Sequence, residues 1–125
     1  MRPLDFVVQL PFSWRQRRAR ALRDEMTRER FVAELASGDA EELAARLLWD
    51  KLVDIAVVPD FRPSPDDNFL YIYGLADEDL DDDLILRILT TLKRNPPPPP
   101  LVRRIGPISS PRDFMKLMRH TSIVR

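Results

Sequence analysis

Apolar residues recur every three or four positions along two central stretches of the chain, which is the spacing of an amphipathic helix. Over 40–56 one face carries five of them: Leu43, Leu47, Leu48, Leu52 and Ile55. A second stretch predicts a helix that begins with an N-cap at Asp79 and runs to about Leu92. Its apolar face is formed by Leu80, Leu84, Ile85, Ile88, Leu89 and Leu92. Both patterns predict helices that bury one side.

The N-terminal region predicts a further helical stretch. Residues 13–16 (Ser-Trp-Arg-Gln) have the form of a capping box, so a helix is expected from about Trp14. The apolar pattern continues through Leu35, with a break near Thr27. Gly38 then favours an end, because glycine tolerates the backbone conformation of a helix C-terminus.

Prolines divide the remaining chain. Residues 59–67 hold three Pro and three Asp, which predicts a loop. The five prolines at 96–100 predict an extended spacer of roughly 15 Å. After them, Ser110 as N-cap and Pro111 at the first helical position predict a short helix. The inward face of this helix is expected to carry Phe114, Leu117 and Met118.

Together these elements predict a mostly α fold, a small helical bundle with an extra N-terminal helix. Residues 1–38 are expected to form an arm and a basic helix packed on the bundle, 39–119 the core domain and 120–125 a loose tail. The alternative is an α+β fold, since branched and aromatic residues favour strands. Its short strands would lie at 4–10, 55–58, 69–73 and 101–105.

Charge divides the chain into blocks, although 20 Lys plus Arg balance 20 Asp plus Glu. Residues 60–86 carry 1 basic and 9 acidic groups, whereas 87–125 carry 9 basic groups and 1 acidic group. Opposite blocks attract each other within one fold or across a homodimer. The acidic block is otherwise a candidate docking surface for a basic protein.

Composition excludes much catalytic chemistry. The chain has no Cys, so disulfides, thiolate metal sites and a Cys nucleophile are excluded, and its one His is His120. The carboxylates over 77–81 resemble the opening of a calcium-binding EF-hand loop. However, Asp82 stands where that loop needs Gly, and Ile88 where it needs Glu. We therefore expect no enzyme activity, no metal site and no cofactor.

The apolar stretches also bear on location. Each is interrupted by charge well before the roughly 18 uncharged residues of a membrane-spanning helix. The opening residues lack the long apolar run of a secretory signal. We therefore expect a cytoplasmic protein with no membrane partner.

Over about 43–118 the order of features resembles an acyl carrier protein: a first helix, a long loop, a Phe, a Gly turn and an acidic second helix. Phe69, followed five residues later by Gly74, keeps the family's spacing. Residues 108–111 (Ile-Ser-Ser-Pro) resemble the start of its last helix. The resemblance implies a helical bundle in which 69–73 is an ordered loop that inserts aromatic side chains.

The resemblance stops at the prosthetic group. In that family a Ser before the Leu of the second helix carries phosphopantetheine, whereas here Asp79 precedes Leu80. A carboxylate cannot accept that phosphodiester, so the acyl-carrying chemistry should be absent. The resemblance then implies a mode of recognition, in which an acidic second helix docks on basic patches of partner proteins. The residues that match this role are Asp79, Asp81, Asp82 and Asp83.

An alternative function rests on the Arg-rich segment 15–30. Its seven Arg against three acidic residues could contact several phosphates of a nucleic acid. The candidate binding residues are Arg15, Arg17 and Arg18. The acidic block and an isoelectric point near 6.6 would repel a polyanion, which disfavours this partner.

Overall fold

Helices make up most of residues 12–123, the part of the chain that this computed structural model describes, and the predicted mostly α fold is confirmed. The helical elements in chain order are α1 (Phe12–Ala21), α2 (Arg28–Leu35), α3 (Asp39–Ile55), α4 (Phe69–Tyr73), α5 (Asp77–Asp79), a π-helical segment (Leu80–Ile85), α6 (Leu86–Thr91), α7 (Pro99–Ile105) and α8 (Pro111–Met118). Two short strands, β1 (Arg94–Asn95) and β2 (Ser122–Ile123), pair antiparallel.

Local capping sets two of the helix starts. The Thr27 hydroxyl accepts a hydrogen bond from the Arg30 N–H at 3.1 Å, so α2 begins at the predicted break. Ser110 caps α8 with Pro111 at the first helical position, which confirms that prediction. The capping box at Ser13 is wrong, because Ser13 lies inside α1 and Gln16 is buried.

The core lies between α2, α3, α8 and the helices of 69–91. Phe31 of α2 packs edge-on against Trp49 of α3, with ring centroids 5.3 Å apart. The predicted stripe of α3 is partly wrong, since Leu48 is fully buried but Leu43 is 55% exposed. Small residues take the buried positions next to Leu43, which are Ala44 and Ala45. The predicted inward face of α8, Phe114, Leu117 and Met118, is buried.

Three strands of the α+β alternative fall within residues 12–123, and none of them is formed. Residues 69–73 form the helical turn α4, because the Asn68 side chain accepts from the Tyr71 N–H at 2.8 Å and caps it. Gly74 ends that turn with a φ of 72°, a conformation that favours glycine. Residues 101–105 lie in α7, and 55–58 contain the end of α3 and no strand. The strand at 4–10 lies outside the described residues.

The proline run is not a spacer over its whole length. Pro98 is extended, with a ψ of 153°, but Pro99 and Pro100 are the first two residues of α7. The N–H groups of a first helical turn have no partner inside the helix, so proline loses nothing there. Ser122 and Ile123, within the predicted loose tail 120–125, form β2 and pair with Asn95 and Arg94.

Residues 77–91 form one continuous helical stretch, here called the acidic helix. It begins after Ala76, three residues before the predicted cap at Asp79. In its π-helical centre the Leu86 N–H donates to the Asp81 carbonyl, five residues back. The predicted apolar face is confirmed at Leu80, Leu84, Ile85, Ile88 and Leu89, and Leu92 is partly buried.

Candidate interaction surfaces

The acidic helix presents six carboxylates within seven residues. Because Leu80, Leu84 and Ile85 face the core, the remaining positions of these two turns point to solvent. All six side chains are exposed, and together they are called the acidic surface: Asp77, Glu78, Asp79, Asp81, Asp82 and Asp83. The structure therefore groups the four predicted docking residues with Asp77 and Glu78.

No cation of residues 12–123 lies within 4 Å of a carboxylate of the acidic surface. Other carboxylates do pair, as Asp50 does with Arg28 at 2.9 Å. Lys51 and Arg87 line the same groove as Asp83, but neither forms an ion pair with the Asp83 carboxylate. Within the described part of the chain, the acidic surface is therefore exposed and forms no ion pair.

Mutual repulsion is visible at Asp81. Partial burial raises the pKa of this carboxyl above its usual value, and the charges of Asp77 and Asp82 raise it further. A folded-state pKa above the unfolded value means that the folded protein binds this proton more tightly. Asp81 therefore favours folding most below its usual pKa, and that contribution is lost as pH rises through the raised folded-state pKa.

We expect Asp81→Asn to stabilise the fold at pH 7 by about 0.2–0.5 kcal/mol, because it removes a like-charge pair four residues apart on a helix. The gain should shrink towards pH 4, where Asp81 binds its own proton. Urea titrations of the two proteins at pH 7 and pH 4 measure both effects. An equal or lower stability of the variant at pH 7 would contradict this interpretation.

A cleft of about 340 Å³ opens between α7 and α8. Its lining, here called the basic cleft, consists of Leu101, Arg104, Ile105, Lys116, Arg119 and His120. Arg119 donates to Glu41 of α3 at 2.8 Å, and Lys116 lies 3.9 Å from Asp113. Burial opposes ionisation of Glu41, but hydrogen bonds from Ser37 and Arg119 outweigh it and lower its pKa.

The acidic surface and the basic cleft lie at opposite ends of α3. Asp83 shares its groove with Asp54, near the C-terminal end of that helix. Arg119 of the cleft pairs with Glu41, in its first turn. Thirteen residues of helix at 1.5 Å each separate the two positions by about 20 Å. The acidic surface and the basic cleft therefore lie about 20 Å apart, and the first turn of α3 beside the cleft itself carries Asp39, Glu41 and Glu42.

The candidate nucleic-acid residues of α1 do not form one exposed group. Arg15 is 6% exposed and lies between the rings of Phe12 and Tyr71, with its guanidinium donating to the Tyr71 carbonyl at 3.1 Å. The sequence predicts Arg15 as a nucleic-acid contact because helical spacing alone does not show that α4 covers this side chain. Arg17 and Arg18 are exposed, and Arg18 lies over the Trp14 ring at 5.5 Å.

A buried ionic cluster lies beneath the loop at 59–67. Asp67, 3% exposed, accepts two hydrogen bonds from the Arg23 guanidinium, one from the Ser64 N–H and one from the Tyr73 hydroxyl. Burial and the neighbouring charge of Asp67 raise the pKa of Tyr73 well above its usual value. The cluster ties the connection between α1 and α2, which contains Arg23, and the end of α4 to the loop.

No protein-family model, curated protein or solved structure matches the chain. Over the described residues, no helix is long and apolar enough to cross a membrane. In the same part of the chain, no three His, Asp or Glu side chains are grouped so as to hold a metal ion.

Sequence patterns did not reveal the basic cleft. The excess of positive charge over 87–125 is the one signal that points towards it. Arg104 and Lys116 line the same cleft because a helix, α7, begins at the last two prolines of the run. The sequence predicts an extended spacer there.

Proposed function

We propose that the protein is a non-enzymatic protein–protein interaction module whose acidic surface docks a partner protein with a basic surface. The observation that carries this proposal is a set of six exposed carboxylates with no described cation at ion-pair distance. Like charges on adjacent turns repel each other, and a cationic partner relieves that repulsion on binding. Charges of this kind govern association rate and partner choice.

The resemblance to acyl carrier proteins supports the same mode of docking. In the alignment that the resemblance implies, Asp79 stands where the family has its prosthetic-group Ser, and the Asp79 side chain is exposed. We therefore propose a carrier-like module without phosphopantetheine. The intact mass of the protein from its own cells should equal the mass of the unmodified 14.6 kDa chain. An added mass equal to a phosphopantetheine arm would overturn this part of the proposal.

The alternative is a nucleic-acid-associated regulatory protein that uses α1. This helix exposes two cations, Arg17 and Arg18, and Arg18 lies over the ring of Trp14. Proteins bind single-stranded nucleic acids through cations that contact phosphates and aromatic rings that stack on bases. Arg15 is not offered to a ligand in this arrangement, because it is buried between two rings. The acidic surface makes this the less favoured candidate.

Affinity capture from extract of the protein's own cells discriminates the two. At low salt we expect the tagged wild-type chain to retain a protein partner, and we expect salt of about 0.5 M to release it, because exposed charges are screened. The variant Asp81→Lys, Asp82→Lys, Asp83→Lys should reduce recovery at low salt at least tenfold. The variant Arg17→Ala, Arg18→Ala should recover the same amount as wild type.

A matched control reverses the charge of three exposed acidic residues that are not part of the acidic surface: Asp24, Glu25 and Glu29. This variant has the same net charge as the first triple variant, so it separates a local surface from overall charge. If both triple variants lose the partner equally, docking does not depend on the acidic surface. If nucleic acid is recovered and depends on Arg17 and Arg18, the alternative function replaces the proposal.

A further inference from the structure

Two cations of the basic cleft, Arg104 and Lys116, are available to bind a ligand. Arg104 forms no ion pair with a residue of 12–123, and the 3.9 Å approach of Lys116 to Asp113 is a surface contact that contributes little. Leu101 and Ile105 provide a partly exposed apolar floor. Such a cleft fits an acidic segment that also carries an exposed apolar residue.

The acidic helix has that chemistry. Leu86 is 45% exposed, and it lies one turn after Asp82 and Asp83. Asp82 precedes Leu86 by four residues, close to one turn of this π-helical stretch, so this leucine and that carboxylate are presented together. The apolar floor of the basic cleft would accommodate the leucine, and the cations that line the cleft would bind the neighbouring carboxylate.

The two surfaces of one chain do not neutralise each other. They are separated by about 20 Å along α3. The Debye length at physiological ionic strength is about 8 Å, so attraction between exposed charges at that separation is largely screened. Their complementarity is therefore available to another molecule.

We propose that the basic cleft receives the acidic surface of a second copy of this chain. The inference rests on the proposed function, because it identifies the basic partner of the acidic surface. Each chain carries both surfaces, so a two-fold axis that seats one acidic surface in the basic cleft of the partner seats the other acidic surface in the same way. Both contacts then form at once and the assembly closes as a dimer.

Light scattering coupled to size-exclusion chromatography tests this with the purified full chain. In 20 mM salt we expect the mass to rise with concentration from 14.6 kDa towards twice that value, and to return to 14.6 kDa in 0.5 M salt. Asp81→Lys with Asp82→Lys should be monomeric, as should Arg104→Glu with Lys116→Glu. Arg119 is left unchanged, because it pairs with Glu41 inside the chain.

An equimolar mixture of these two variants provides the sharpest test. The reversed helix of one variant then faces the reversed cleft of the other, and the two unchanged surfaces also face each other. We expect the mixture to recover the dimer mass, which misfolded variants could not do. The neutral variant Asp81→Asn with Asp82→Asn, which keeps the size of both side chains, should weaken the wild-type dimer at least fivefold.

Three outcomes would overturn the inference. A monomeric wild type at all salt concentrations would do so, and would leave the proposed function standing if the acidic surface still captures another basic protein. Masses that grow beyond the dimer would replace the closed pair by a head-to-tail chain. Unchanged dimers in both charge-reversed variants would place the interface elsewhere.

Discussion

Replacing Asp67 by Ala is expected to destabilise the fold by about 3–5 kcal/mol, a large share of the roughly 5–15 kcal/mol that stabilises a small domain. The Asp67 side chain is 2% exposed and that of Arg23 is 18% exposed, so the variant leaves a largely buried guanidinium without its carboxylate. The Ser64 N–H and the Tyr73 hydroxyl lose the same acceptor. The midpoint of urea unfolding measures the loss.

The neighbouring residue provides a matched control. Asp66 also pairs with one arginine, Arg112, at 2.8 Å, but its side chain is 72% exposed and that of Arg112 is 46% exposed. Asp66→Ala should therefore cost less than about 1 kcal/mol. Asp67→Asn, which keeps an acceptor oxygen but removes the charge, should fall between the two. Equal losses for Asp66→Ala and Asp67→Ala would show that the buried cluster has no special role.

Gln16→Ala is expected to cost about 2–3 kcal/mol, because it removes three hydrogen bonds that join α1 to two other segments. The Gln16 amide donates to the Ile72 carbonyl at 3.0 Å, and its oxygen accepts from the N–H groups of Val57 and Val58 at 2.9 and 3.2 Å. Gln16 is 1% exposed, so water cannot easily replace its side chain. Urea unfolding of the variant measures the effect.

Arg17→Ala is the control for that change, since Arg17 is the next residue of α1 and is exposed. Its effect should stay within about 0.5 kcal/mol. A loss at Gln16 no greater than the loss at Arg17 would mean that α1 is not fastened to the bundle through this amide. The same comparison tests whether α1 belongs to the cooperative fold, because a detached arm would unfold without changing the main transition.

Local rules predicted the parts of the fold that depend on neighbours in sequence. The predicted cap at Ser110 needed only a hydroxyl and the N–H three residues later, and the predicted break near Thr27 coincides with a cap of the same kind. The apolar face of the acidic helix was predicted because large aliphatic residues there coincide with the buried side. In α3 they do not coincide, since the buried positions include Ala44 and the outward position has Leu43.

Contacts between distant segments account for the errors. The sequence predicts Arg15 as a nucleic-acid contact and Gln16 as part of a capping box. In the structure α4, 56 residues further along the chain, covers both side chains. Pro99 lies in the first turn of α7, whereas proline propensity taken alone predicts that no helix forms at this residue. The acidic block and the resemblance to carrier proteins predicted four of the six residues of the acidic surface, whereas the basic cleft needed α7 and α8 to meet.

Carboxyl labelling with a carbodiimide and an amine, read by mass spectrometry, tests the docking role of the acidic surface most directly. We predict that labelling of residues 77–83 falls when the captured partner is bound and recovers in 0.5 M salt. Exposed Glu29, in α2, should label equally in both states and serves as the internal control. Equal labelling of 77–83 in the free and bound protein would contradict the claim that this surface is where the partner docks.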